Sequence, residues 1–248
     1  MENLQFFLVS AAVFALILGL AVLAERHLCK DRKQFSNTHY ISYTAIFSAI
    51  SGVLMLMEIP LFFAPGFYKL DISEMPVLIC TFYLGPVAGV TAELLKVIVK
   101  LLIKGTSTAF VGDFANFVVG CSFILPASII YHARPGKKTA LVGMGVGTLV
   151  LTVFGSLFNG FYLIPKFAVL FGMPMDAIVA MGTKVNAAIT DVWTLVAFAV
   201  VPFNLVKGVA VSALTFLLYK RISPILHKND AKRAARSKKP QGGATQQS

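Results

Sequence analysis

The sequence predicts an all-α polytopic membrane protein. Its hydrophobic fraction is 57% against 13% charged residues, and its mean hydropathy is +0.78. The apolar residues come in long runs, as in membrane-spanning helices, rather than at the spacing of a soluble core. These runs do not alternate apolar with polar residues, which excludes a transmembrane β-barrel.

Composition also bounds the chemistry. The net charge of +11 has a topological explanation, so nucleic-acid binding is not indicated. The three cysteines, Cys29, Cys80 and Cys121, lie far apart without a CxxC motif, and all four histidines fall outside the apolar runs. We therefore expect no disulfide framework, no metal site and no catalytic residues of the usual kind.

Seven membrane-spanning helices are predicted, over residues 4–24, 40–59, 73–85, 87–103, 113–131, 140–164 and 202–219. The first is interpreted as an uncleaved helix, because it lacks a basic start and a small-residue cleavage site. Residues 166–191 are too polar to span, and residues 192–200 are expected to lie at the interface around Trp193. Pro202 is predicted to begin the last helix, since proline there loses no helical hydrogen bond.

The basic residues predict the orientation of the chain. The connectors 26–33 and 134–138 and the tail 220–239 carry four, three and eight Lys or Arg, which is 15 of the 22. Seven crossings place all three on one side, and the positive-inside rule makes that side the cytoplasm. The N-terminus is then outside and the C-terminus inside. We expect residues 227–248 to form a disordered basic tail.

Two polar residues stand near the start of the last helix. Asn204 and Lys207 are three residues apart, so they project from one face. Lys207 either reaches toward the lipid headgroups or lies in a polar pocket inside the bundle. In a pocket, an amide that donates and accepts beside an ammonium that donates suits a flat ligand rich in carbonyl groups.

A loop at residues 61–71 is predicted to cover that pocket. In the predicted orientation this loop, Asn159, Asn204 and Lys207 all lie at the outer end of the bundle. Aromatic residues crowd the loop and provide either walls for a ring system or ordinary interfacial anchors. This convergence indicates a binding site that opens to the outside.

Helix 87–103 carries three charged residues on one face, Glu93, Lys96 and Lys100. They form either a buried, self-neutralising ion pair or contacts to a ligand. Elsewhere, Gly143 and Gly147 form a GxxxG pattern, which predicts close packing against another helix.

Four stretches resemble one family of membrane proteins: YKLDISEMP at 68–76, LGPVAG at 84–89, GDFANF at 112–117 and VPFNLVKG at 201–208. They look like the riboflavin-specific S component of energy-coupling factor (ECF) transporters. The resemblance covers residues 40–226 and implies a six-helix S-component core. Residues 1–39 would then form one extra N-terminal transmembrane helix with its basic connector.

The resemblance implies a role in vitamin uptake. An S component captures its vitamin outside a prokaryotic cell and docks on a membrane scaffold protein driven by two cytoplasmic ABC-type ATPases. Asn204 and Lys207 would hold the polar edge of riboflavin, with Asn159 as a second asparagine. The loop residues Tyr68, Leu70 and Asp71 would close over the ligand. The chain has no GxxxxGK[ST] motif, so ATP hydrolysis is expected in the partners.

Two stripes of small residues suggest where the scaffold would dock. Ala45 and Ala49, and likewise Ala88 and Ala92, are spaced to let a neighbouring membrane helix approach closely. Stripes of this kind contact the scaffold protein in S components.

Two other functions stay open on the sequence. One is an intramembrane lipid-modifying enzyme that uses Glu93 and Asp113 with Lys207. Against this function, the sequence has no paired carboxylates at metal-binding spacing and no histidines within the apolar runs. The other is a stand-alone facilitator that needs no ATPase. Riboflavin and flavin mononucleotide are not distinguished.

Overall fold

The computed structural model describes residues 2–29 and 37–237, which are mostly helical. Residues 30–36 of the basic connector and residues 238–248 of the tail lie outside this range. The elements in chain order are α1 Glu2–Leu28, α2 Asn37–Met55, β1 Ile59–Pro60, β2 Lys69–Leu70, α3 Glu74–Leu84, α4 Pro86–Lys104, α5 Val111–Ala133, α6 Lys137–Phe158, α7 Ile164–Leu170, α8 Met175–Thr183, α9 Val192–Leu195 and α10 Val201–Ser237. Two π-helical segments, Asn159–Leu163 and Val196–Val200, join α6 to α7 and α9 to α10.

Four helical segments of the described chain are long and apolar enough to cross a membrane. They are Leu8–Leu28, Val111–Ala133, Lys137–Leu170 and Val192–Tyr219. The prediction of a helical membrane protein is therefore confirmed. Helix α3 is a shorter apolar helix, and its predicted end at Gly85 is also confirmed. Gly85 has φ 121°, a backbone conformation that glycine adopts easily, and Pro86 starts α4.

The predicted start of the last helix at Pro202 is wrong. The chain is continuously helical from Val192, so residues 192–200 are its first turns rather than a separate interfacial segment. Proline donates no hydrogen bond and crowds the carbonyl four residues earlier. The π segment before it widens the helix, and the Val201 N–H bonds to the Val196 carbonyl. The sixth helix likewise continues past Pro165 to Leu170 behind its own π segment.

Helix α10 also ends later than expected. It runs to Ser237, beyond the predicted core boundary at residue 226 and through part of the stretch expected to be disordered. Residues 231–236 are Ala, Lys and Arg, which are all good helix formers.

Helices α5 and α6 pack closely through two glycines, as the GxxxG pattern predicted. A Cβ added at Gly143 would lie 2.7 Å from the Ala127 carbonyl oxygen. A Cβ added at Gly147 would lie 2.6 Å from the Phe123 carbonyl oxygen. Only glycine leaves the two backbones this close.

Helix α1 packs on α4 and α5. Ile17 and Ala21 join the main hydrophobic core, and the Glu25 carboxylate accepts a hydrogen bond of 2.9 Å from the Val87 N–H. That N–H lies in the first turn of α4, where helical N–H groups lack partners and a negative charge is favourable. Glu25 thus caps α4 from the neighbouring helix.

The buried apolar residues form two main clusters. The larger one fills the bundle of α1–α6 and α10. The second lies under the β1–β2 loop and joins it to α7, α8 and the start of the last long helix. The loop residue Tyr68 belongs to this second cluster, and Leu70 packs against it.

Candidate functional site

The β1–β2 loop is fastened to the sixth helix by Tyr68. Ile59 pairs with Leu70 and Pro60 with Lys69 in a short antiparallel ladder, and Tyr68 precedes the second strand. Its buried hydroxyl donates a hydrogen bond of 2.9 Å to Asn159 Oδ1. Burial raises the pKa of Tyr68, so the hydroxyl stays a donor at neutral pH. The loop therefore contacts Asn159, one of the residues that it was predicted to cover.

The two predicted asparagines both contact the last turn of α6, at Gly155 and Ser156. Asn159 begins the first π segment, and its amide donates to the Gly155 carbonyl at 2.7 Å. Asn204 donates to Ser156 Oγ at 3.2 Å. A Cβ at Gly155 would be only 3.1 Å from Asn204 Nδ2, so glycine makes room for this amide.

Lys207 is buried between two carboxylates rather than extended toward the headgroups. Its Nζ lies 3.0 Å from Asp71 Oδ2 in the loop and 2.9 Å from Glu74 Oε1 on α3. Lys207 is 7% exposed, so it lies inside the bundle and does not reach toward the headgroups. The loop is thus tied to the last helix as well as to the sixth.

The Asp71 carboxylate is held in its charged form. Burial alone would raise its pKa, but the charges of Lys207 and Lys96 and the hydroxyl and N–H of Ser73 lower it to about 2. A folded pKa below the unfolded one means that the carboxylate stabilises the fold at neutral pH. That contribution is lost as the pH falls from about 4 toward 2.

Aromatic and aliphatic side chains line the same region. The centroid of the Tyr68 ring lies 4.6 Å from the centroid of the Phe67 ring and 5.4 Å from that of the Phe203 ring. Phe203 was not predicted as a wall residue, although it precedes Asn204. Leu70 is half-buried against the second cluster, whereas Phe62 is 91% exposed. The region therefore combines amides, a charge and ring faces, as a planar polar ligand requires.

A chain of buried charges continues inward from Lys207. Lys96 Nζ lies 3.3 Å from the same Glu74 oxygen and 2.5 Å from Glu93 Oε1. The predicted buried pair of Glu93 with Lys96 is confirmed, while Lys100 pairs with Asp113 of α5 at 2.6 Å. Glu74 was missed. Its position three residues after Asp71, opening an apolar helix, was the available signal.

Of the four predicted docking alanines, two are accessible. Ala45 and Ala49 lie on the exposed face of α2. Ala88 and Ala92 are 0% exposed, so a docking role for them is wrong. Helix α4 is packed by α1, α2, α3 and α5, which leaves its small residues inside the bundle.

The chain matches the family model "ECF transporter, substrate-specific component" over residues 39–219. A riboflavin transporter, RibU, of Staphylococcus aureus (strain TCH60) is 34% identical over 182 residues, which is 73% of this chain and 89% of the relative. The riboflavin transporter FmnP of Bacillus subtilis (strain 168) is 29% identical over 181 residues, 73% of this chain and 90% of the relative.

A solved structure gives the same result for the fold. It is described as "Structure and mechanism of the S component of a bacterial ECF transporter", is 31% identical, and superimposes with a TM-score of 0.61. The match covers 77% of this chain and 99% of that one. The family model begins at residue 39, so α1 lies outside the shared region. The chain belongs to the family of ECF transporter substrate-specific components, which are transporter subunits and not enzymes.

Proposed function

We propose that this chain captures riboflavin, or a close flavin, from outside the cell and delivers it to an ECF energy-coupling module. The observation that carries the proposal is the meeting of Tyr68 and Asp71 from the loop with Asn159, Asn204 and Lys207 from two long helices. Relatives named as riboflavin transporters support the choice of ligand.

Each proposed binding residue has a matching chemical task. The edge of a flavin ring system alternates carbonyl groups with an N–H, which amide side chains such as Asn159 and Asn204 match as donors and acceptors. The Lys207 ammonium has three donors and uses two on Asp71 and Glu74, so one is left for a ligand carbonyl. Tyr68 and Leu70 of the loop cover the ring face.

The proposed partners come from the resemblance to S components: a scaffold membrane protein and two ABC-type ATPases. The chain itself carries no nucleotide-binding motif, which agrees with energy supplied by partners. We propose α2–α5, the α6–α7 helix and the α9–α10 helix as the six-helix core, with α1 as a seventh. Ala45 and Ala49 on α2 are the proposed scaffold contact.

Replacing Asn204 by Ala should weaken riboflavin binding by about 1–3 kcal/mol, because polar atoms of the ligand lose their partner. Quenching of riboflavin fluorescence by the purified protein in detergent measures the affinity. Asn186→Ala is the matched control, since that amide only accepts from the Ala188 N–H in an exposed loop. Equal affinity in Asn204→Ala, Lys207→Ala and the unmodified protein would remove these residues from the site.

The proposed orientation, with the N-terminus outside and the loop facing outward, predicts the pattern of thiol labelling in intact cells. In a Cys29→Ser background, Gly66→Cys should react with a membrane-impermeant reagent, because Gly66 is exposed in the loop. Ser237→Cys should react only after lysis, because the basic tail is expected inside. The reverse pattern would make the pocket a release site instead of a capture site.

A further inference from the structure

Two carboxylates hold Lys207, and they differ in how they are supported. Asp71 is the last residue of the loop 61–71 and follows β2, whereas Glu74 lies in the first turn of α3 itself. Lys207 Nζ lies 3.0 Å from Asp71 Oδ2 and 2.9 Å from Glu74 Oε1. Any movement of the loop changes the first contact and leaves the second in place.

Glu74 is itself anchored from behind. Its Oε1 also faces the Lys96 ammonium, at 3.3 Å, and Lys96 is 0% exposed on α4. A carboxylate shared by two buried ammonium groups has little freedom to move away from either. Glu74 thus joins α3, α4 and α10 at one point.

We propose that Glu74 is a positioning residue of the flavin site: it holds the Lys207 ammonium at a fixed place while the loop carrying Asp71 opens and closes. The inference rests on the proposed function and deepens it. Without Glu74, the ammonium has Asp71 as its ion-pair partner and follows the loop, so the N–H offered to the ligand is no longer held in the direction of the ligand.

The charges of the cluster separate this role from a purely structural one. Asp71, Glu74 and Glu93 are three carboxylates against the two ammonium groups of Lys96 and Lys207. The nearby Lys100–Asp113 pair is balanced within itself. Replacing either glutamate by glutamine therefore balances the cluster, and neither replacement leaves a lysine without a carboxylate. A merely structural role predicts the same behaviour for both variants.

The test compares Glu74→Gln with Glu93→Gln, because Glu93 contacts Lys96 but not Lys207. Both proteins should fold and elute as the unmodified protein does. Glu74→Gln should bind riboflavin about tenfold to a hundredfold more weakly, mainly through faster dissociation in stopped-flow fluorescence. Glu93→Gln should bind with unchanged affinity, and Glu74→Asp should recover part of the loss.

The outcomes are distinct. Equal losses in the two glutamine variants, or full affinity in Glu74→Gln, would overturn the positioning role and leave the capture function standing. Failure of the unmodified protein to bind riboflavin would overturn the proposed function instead. If Glu74→Gln does not fold, Glu74→Asp decides: unchanged affinity and dissociation rate overturn the role, and faster dissociation supports it.

Discussion

Replacing Lys207 by Met should cost about 3–5 kcal/mol of folding free energy, because it leaves the buried Asp71 carboxylate without its ion-pair partner. Lys207 is the ion-pair partner of Asp71, and it shares Glu74 with Lys96. Its loss removes one of the two ammonium groups that face the three carboxylates Asp71, Glu74 and Glu93. Riboflavin binding should fall below detection, since the same ammonium is a proposed ligand contact.

Chemical or thermal unfolding in detergent, followed in parallel with riboflavin titration, measures both effects. Lys69→Met is the matched control. That lysine pairs with Glu58 on the surface, with side-chain exposures of 44% and 26%, so its loss should cost no more than about 1 kcal/mol. Adding Asp71→Asn to Lys207→Met should restore part of the stability but not the binding. Unchanged stability in Lys207→Met would contradict a buried, ionised pair.

Changing Ala45 and Ala49 together to Trp should abolish ATP-driven riboflavin uptake while leaving riboflavin affinity near that of the unmodified protein. Both alanines are exposed on α2, whereas the proposed contacts to the ligand lie in the loop and on the last two long helices. Association between membrane helices depends on close packing of small residues, because lipid supplies little hydrophobic drive. Two indole rings would keep a partner helix away.

Uptake in cells that also produce the energy-coupling module, and co-purification of its subunits, report docking. Titration of the purified protein with riboflavin in detergent measures ligand affinity. Ala213→Trp is the matched control, because Ala213 is an exposed alanine on α10. If the double variant loses affinity in step with uptake, the two alanines pack the bundle and do not dock a partner. If uptake survives, the docking surface lies elsewhere.

The sequence predicted the elements that depend on local chemistry. The Gly85-Pro86 dipeptide predicted the break between α3 and α4, because glycine adopts the positive φ and proline starts a helix. The spacing of Gly143 and Gly147 predicted a close helix contact, which is observed against α5. Asn204 and Lys207 are polar residues in an apolar helix, where burial without partners is costly. They predicted the place at which polar contacts concentrate.

Features that depend on distant parts of the chain were not predictable in this way. Lys207 and Asp71 are 136 residues apart, so no periodicity connects them. Alanine is small enough for both the bundle interior and a helix-docking face, so the stripe at Ala88 did not reveal its burial. A proline normally marks a helix boundary. The π segment before Pro202 accommodates it instead, and this depends on the surrounding packing.

The most direct test of flavin capture is the absorbance spectrum of the unmodified protein, purified in detergent from cells supplied with riboflavin. We expect a yellow protein that retains flavin at about one molecule per chain, and whose flavin-free form quenches added riboflavin saturably. A colourless protein whose flavin-free form leaves riboflavin fluorescence unchanged would contradict flavin capture at this site.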